Sequence, residues 1–229
     1  MNYDPSTTAF LVVDPLNDFL SRFGKMRASI NLVIKDVKLF TKLKTAMNAA
    51  RAHGLKVVYV PHYRYDRKTA PKRKFLHPSQ LGQKFVGLFS AKGYGGKWHR
   101  DFVPEPTDLI ASEHPCSSGF LGTNLHELLQ EKGITNLVIA GMLTNTCVES
   151  TARTAIDLGY HVTILSDSVV TWTRADQVAG VQYAYPAICH EIMTVSEFQN
   201  ALETQHPSGT RNTTAAGASI DKENSDVYA

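Results

Sequence analysis

Short apolar runs of strand length alternate with segments whose apolar residues recur at helical spacing, and this alternation runs along most of the chain. TAFLVVD (8–14) is continuous, rich in β-branched residues and ends on Asp14. It reads as a strand buried on both faces. Residues 30–53 carry Ile30, Val33, Ile34, Val37, Phe40, Leu43, Met47 and Ala50 at helical spacing, and Gly54 is a suitable stop. LKVVYVP (55–61) predicts a second buried strand. Further strands are expected at 108–112, 136–141, 161–167 and 191–194, with helices at 123–132, 145–158 and 174–185. Strands that alternate with helices and lack a polar face imply one α/β domain, with three layers around a mainly parallel six-stranded sheet. In such sheets ligands collect beyond the carboxyl ends of the strands, where Asp14, Pro61, Ser112 and Gly141 fall.

Two segments break the pattern. Residues 62–106 hold four prolines, three clustered glycines and, between Tyr63 and Asp101, ten Lys or Arg against the single acid Asp66. So long a connection is expected to be a lid over the site or an oligomer contact, and its charge mildly favours an anionic ligand. From about Thr204 the sequence turns small, polar and aperiodic, so residues 204–229 are expected to be a disordered tail following a 1–203 domain.

Several function classes are excluded by bulk properties. A chain of 229 residues, 43% of them hydrophobic, buries a core without staples. No apolar run reaches the roughly 18–20 residues of a membrane span, and the N-terminus does not read as a signal peptide. Three cysteines argue against a disulfide framework and for a reducing, cytoplasmic setting. A net charge of +3 gives no sign of a nucleic-acid partner.

The chemistry concentrates in LVIAGMLTNTCVESTARTAIDLGYHVTILSD. A strand ends at Gly141, a short turn follows, and Cys147 enters the next helix. A thiol there meets unpaired backbone N–H groups and the positive end of the helix dipole, which lower its pKa and offer an oxyanion site. A small buried hydrophobe is the competing reading of Cys147. Asp14, at a strand end, can point into the same crevice as a proton acceptor and is preferred over its neighbour Asp18; a loop cap or a salt bridge is the competing reading of either acid.

FLVVDPLNDF resembles the VVDMQNDF signature of the isochorismatase-like cysteine hydrolases. GMLTNTCVESTARTAIDLGYHVTILSDS resembles their GVATNVCVEATARDA segment, and SSGFLGTNLHELLQEKGITNLVIAG their SAFFGTDLDELLRERGIDTLVVTG. The resemblance spans about Thr7 to Phe198. It implies an Asp–Lys–Cys triad: Asp14 as base, Cys147 as the nucleophile of an acyl-enzyme, and the N–H groups of Leu143 and Cys147 as the oxyanion hole. It also implies a cis Met142–Leu143 peptide. The sequence departs from the family at two places. Leu16 stands where a Gln is usual, and counting back from Ser118 puts His114 at the lysine position, beside Glu113. An imidazole there titrates near ~6.5 rather than ~10.4, so activity is expected to vary with pH near neutrality.

Nicotinamidases of this family bind zinc through an Asp-x-His and a further His after the second strand. Here His62 and His77 are present but the Asp-x-His is absent, so neither metal nor cofactor is expected. His62, Tyr63, Trp98 with His99, Glu113 and Phe120 are candidates for the pocket wall. Cys116 is read as pocket lining and Cys189 as core. The activity implied is hydrolysis of a C–N bond in a small amide or ureido substrate. Two alternatives stay open: cleavage of the vinyl ether of isochorismate, and a catalytically silent binding protein. A homodimer or homotetramer is implied as well.

Overall fold

The computed structural model describes residues 3–205. Thr204 and Gln205, expected to begin the tail, instead close the last helix (Val195–Gln205), and the rest of the expected tail, 206–229, lies outside the described residues. The chain runs β1 (Thr8–Val13), α1 (Asn17–Leu20), α2 (Arg27–Asp36), α3 (Leu39–Ala52), β2 (Lys56–Val60), α4 (Pro78–Leu81) and β3 (Leu109–Ile110). It continues through α5 (Leu125–Glu131), β4 (Asn136–Met142), α6 (Glu149–Asp157), β5 (His161–Val170), α7 (Arg174–Val178), β6 (Glu191–Met193) and α8 (Val195–Gln205).

The six strands form one sheet in the order β3-β2-β1-β4-β5-β6, and every pairing is parallel. Alternate side chains of β1 enter separate cores. Phe10 and Val12 pack on the face covered by α2, α3 and α8, while Ala9, Leu11 and Val13 pack on the face covered by α5 and α6. Burial on both faces is why the run shows no polar alternation. Strands β2 and β3 lie on one side of β1, whereas β5 and β6 lie beyond β4. The chain therefore reverses its direction of travel between β1 and β4, and a crevice opens at their carboxyl ends. Among the described residues no helix is long and apolar enough to cross a membrane.

Three expectations need correction. The single helix over 30–53 is two helices, broken at Lys38, whose φ of 54° is left-handed. Both halves bury their stripes in the same core, so the apolar spacing runs on across a break that no Gly or Pro marks. The third strand shrinks to Leu109–Ile110 at the sheet edge. The last helix, α8, was not expected at all. It docks through Val195, Phe198 and Leu202, with Phe198 against Tyr3 and Phe10.

Residues 62–106 are not a plain loop. They carry α4, a π-helical turn (Gly82–Val86) and a 3-10 turn (Arg100–Phe102). Asp18 ties this segment to the first motif: its carboxylate accepts the N–H of Lys25 at 3.1 Å and of Phe89 at 2.6 Å, and its own N–H donates to Gly95 at 3.0 Å. Leu16, in place of the family's Gln, is fully buried and bridges to Trp98.

Candidate active site

Asp14 is the first residue beyond β1. Its φ of 56° is the left-handed conformation, which Asp tolerates better than most residues, and its N–H donates to Val60 of the neighbouring strand at 3.1 Å. His114 arrives from the other side. Its N–H donates to Pro61 at 2.9 Å, and it bridges to His62, so the path after β3 extends the sheet past β2. Both side chains are fully buried, and His114 Nε2 lies 3.0 Å from Asp14 Oδ1. His114 Nδ1 lies 3.1 Å from the carbonyl oxygen of Cys116. A carbonyl only accepts, so Nδ1 carries a proton, and the Nε2–Oδ1 contact holds one more. The pair is thus an imidazolium beside a carboxylate, or a neutral imidazole beside a carboxylic acid.

Cys147 is set by the turn after β4. Gly141, with φ 121°, lies so close to β1 that a Cβ would run into the backbone of Val13. The Met142–Leu143 peptide is cis. A π-helical turn, Thr144–Val148, then leads into α6, and its first wide rung joins Val148 N–H to Leu143 O at 3.1 Å. The N–H of Cys147 precedes that rung, as the oxyanion reading requires. Tyr185 Oη donates to Thr144 O at 2.8 Å, and Thr144 Oγ1 donates to Gln177 at 2.8 Å. These contacts hold the turn from behind.

The Cys147 thiol contradicts the expected lowered pKa. Burial, the adjacent Asp14 charge and a hydrogen bond with that side chain push it well above the ordinary thiol value, and contacts with Thr146 and the Leu143 backbone offset only part of this. The helix start is the weaker influence because the buried sulfur faces a carboxylate. At rest Cys147 is a neutral thiol, with Asp14 as the adjacent acceptor. The ligating atoms of Asp14, His114 and Cys147 all lie within 4.8 Å of one another.

A cavity of about 320 Å³ opens onto Cys147. Phe19, Met26, Leu88, Phe89 and Trp172 give it apolar walls; His62, His77, Cys116, Leu143 and Thr146 also line it. His62 and Cys116 are therefore where the sequence put them. The other wall candidates are elsewhere. Trp98 packs edge-on against Tyr59 with Arg64 over its ring, and His99 packs with Phe40 and Phe102. Glu113 is paired with Arg64 at 2.7 Å, and Phe120 is buried in the opposite core beside Tyr160. Tyr63 serves through its backbone, accepting from Gln83 and donating to His114. Among the described residues none of the Lys or Arg of 63–101 lines the cavity; Arg67, Lys72, Arg73 and Lys84 line a separate groove.

Residues 8–197 match the model of the Isochorismatase domain. The chain belongs to the isochorismatase family. It is a hydrolase of that family. Within it, the chain is 32% identical over 207 residues to the ureidoacrylate amidohydrolase RutB of Pantoea ananatis, covering 85% of this chain and 78% of that one. It is 31% identical over 199 residues to RutB of Stutzerimonas stutzeri, at 82% and 77% coverage. The fold matches a cysteine hydrolase from Pseudomonas syringae pv. phaseolicola (TM-score 0.78, 21% identity, 90% of this chain and 96% of that one). It also matches N-carbamoylsarcosine amidase from Thermoplasma acidophilum (TM-score 0.64, 22% identity, 82% and 96%).

His62 adds a pH dependence to the family fold. It is buried, and desolvation together with the neighbouring His114 lowers its pKa from 6.5 to about 4. Above pH 6.5 it is neutral whether the chain is folded or unfolded. Between 6.5 and about 4 the unfolded chain takes up a proton that the folded one refuses, so stability falls as pH falls through this window. The full loss is about 3 kcal/mol, at 1.36 kcal/mol per tenfold. His62→Gln should flatten that part of the stability profile in urea titrations at pH 7, 5.5 and 4. An unchanged slope would show that His62 is charged in the fold.

Proposed function

We propose that this chain is a cysteine hydrolase that cleaves the C–N bond of a small, flat amide or ureide. One observation carries the reading: a buried thiol, a strand-end carboxylate and an imidazole meet within 4.8 Å at the end of an apolar cavity. Cys147 Sγ attacks the carbonyl carbon while Asp14 takes the thiol proton. The oxyanion accepts from the N–H groups of Leu143 and Cys147. Asp14 returns the proton to the departing nitrogen, leaving a thioester on Cys147. Water, deprotonated by Asp14, then attacks the thioester carbonyl; the C–S bond breaks, the departing thiolate takes the proton back from Asp14, and the acid leaves. His114 holds Asp14 in place and, as a cation, offsets its charge. The amidohydrolase activity named for the RutB relatives supports C–N cleavage.

The substrate is neutral rather than anionic in this reading, because the cavity wall offers aromatic and aliphatic side chains and neither Lys nor Arg. A cytoplasmic setting suits the three free thiols, Cys116, Cys147 and Cys189. The test is a panel of carboxamides, aryl carboxamides, ureido acids and isochorismate, with reactions quenched in acid and peptides weighed. Turnover of an amide with an acyl adduct on the Cys147 peptide is expected. Turnover of isochorismate alone, without an adduct, would replace this reading with ether cleavage. No turnover would favour a binding protein.

A homodimer or homotetramer, joined through residues 62–106, fits the exposed Phe75, Phe85 and Val86 of that segment. Sedimentation of the full chain at the monomer mass would end this idea.

A further inference from the structure

We propose that Asp14, His114 and Cys147 form a three-ligand site for a thiophilic divalent cation of the zinc class, whose binding silences the nucleophile. The donors are a carboxylate oxygen, an imidazole nitrogen and a sulfur, a mixture that zinc accepts. They lie within 4.8 Å of one another. Tetrahedral zinc with bonds of about 2.0–2.3 Å sets its ligand atoms some ~3.5 Å apart. Closing the triad around an ion therefore takes side-chain rotations and no change of fold.

Two further features prepare the site. His114 directs Nδ1 at the carbonyl oxygen of Cys116, 3.1 Å away, which aims Nε2 at the centre of the cluster. Metal-bound histidines are commonly oriented by such a bond from the other ring nitrogen. Asp14 Oδ2 is buried and takes no part in the contact with His114; the Cys147 thiol beside Asp14 gives up its proton when the metal binds, so a lone pair stands ready. Of the three ligands Cys147 lines the cavity, so a fourth position on that side would admit water, chloride or a substrate carbonyl. Only the imidazole makes this site. A lysine at position 114 would place an ammonium there, which has no lone pair and repels a cation. The absence of an Asp-x-His after β2 bears on a different set of donors and leaves this one untouched.

Binding exchanges protons for metal. The cation takes the thiolate and the Nε2 lone pair, and the thiol proton and the proton shared by Asp14 and His114 leave to solvent. Sulfur bound to the ion no longer attacks a carbonyl, so hydrolysis stops and resumes on chelation. The site does not depend on which bond the chain cleaves, so its test needs no substrate.

Metal-stripped full chain is titrated with Cd²⁺, and the thiolate-to-cadmium charge-transfer absorbance is followed; Zn²⁺ is then added as competitor. A single equivalent is expected to bind and to be displaced by Zn²⁺. With Zn²⁺ present, iodoacetamide labelling of Cys147 should slow at least about tenfold while Cys189 labels as before. His114→Lys and Cys147→Ser should both abolish the absorbance, and the serine variant, which changes one atom, guards against misfolding in the first. Absence of the band in the unmodified chain would overturn the proposal. So would a band that survives in Cys147→Ser, which would assign the metal to Cys116, or one that survives in His114→Lys.

Discussion

Replacing Cys147 with Ala lowers turnover of the C–N substrate by on the order of 10⁴-fold or more, with binding largely kept. No other group in the cavity can replace the lost step. Cys116 also lines the cavity, but the carboxylate that takes the thiol proton stands beside Cys147. The substitution is mild for the fold. The sulfur's contact with the Thr146 hydroxyl is long, 3.9 Å, and the vacated volume adjoins an existing cavity. A stability loss of about 1 kcal/mol is expected, since little apolar volume is removed and the site can refill with solvent. Loss of activity therefore reads as loss of the nucleophile. The measurement is kcat and KM on the best amide of the panel, with binding followed separately by calorimetry. Full turnover in Cys147→Ala would remove the covalent route, because attack by water alone would then be sufficient.

Much of this arrangement is legible in the sequence because few physical solutions satisfy it. Apolar runs without polar alternation have to be strands covered on both sides, and the parallel sheet follows. Asp14 closes the first such run, and Cys147 stands beyond the end of the fourth. The topology alone brings them together, because β1 and β4 are neighbours at the switch point. The cavity wall is different. Phe19 with Met26, Phe89 and Trp172 meet from three separate stretches of chain, and each reads locally as ordinary core. Trp98 and Glu113 looked available because they are large or charged and lie near the site in sequence. Their partners, Tyr59 and Arg64, are set by tertiary contacts that periodicity does not reveal. The sign of the Cys147 shift was missed for a related reason. A helix start is visible in sequence, whereas desolvation and a carboxylate in contact appear only when the chain is folded. The break at Lys38 left no mark of its own.

His114→Ala is the second large effect, and it tests who holds the proton in the triad. If Asp14 is ionised, the variant leaves a fully buried carboxylate without its cation, and stability falls by about 3–5 kcal/mol. For a chain of this size that is a drop of roughly 10 °C in Tm. Asp14→Asn in the same background should restore much of the loss, since an amide carries no charge to strand. The two substitutions are then strongly non-additive, as expected for a coupled pair. Hydrolysis should fall by about 10²–10⁴-fold in His114→Ala, because the base loses the partner that orients it. His114→Lys should recover most of that rate, since an ammonium can donate both to Asp14 and to the Cys116 carbonyl. The informative failure is a loss in His114→Ala that Asp14→Asn does not restore, the cost being only that of the cavity and the broken hydrogen bonds. Asp14 would then be a carboxylic acid at rest, donating to a neutral imidazole. A protonated Asp14 cannot accept the thiol proton, so the base would have to be reassigned to His114, with Asp14 reduced to orienting it.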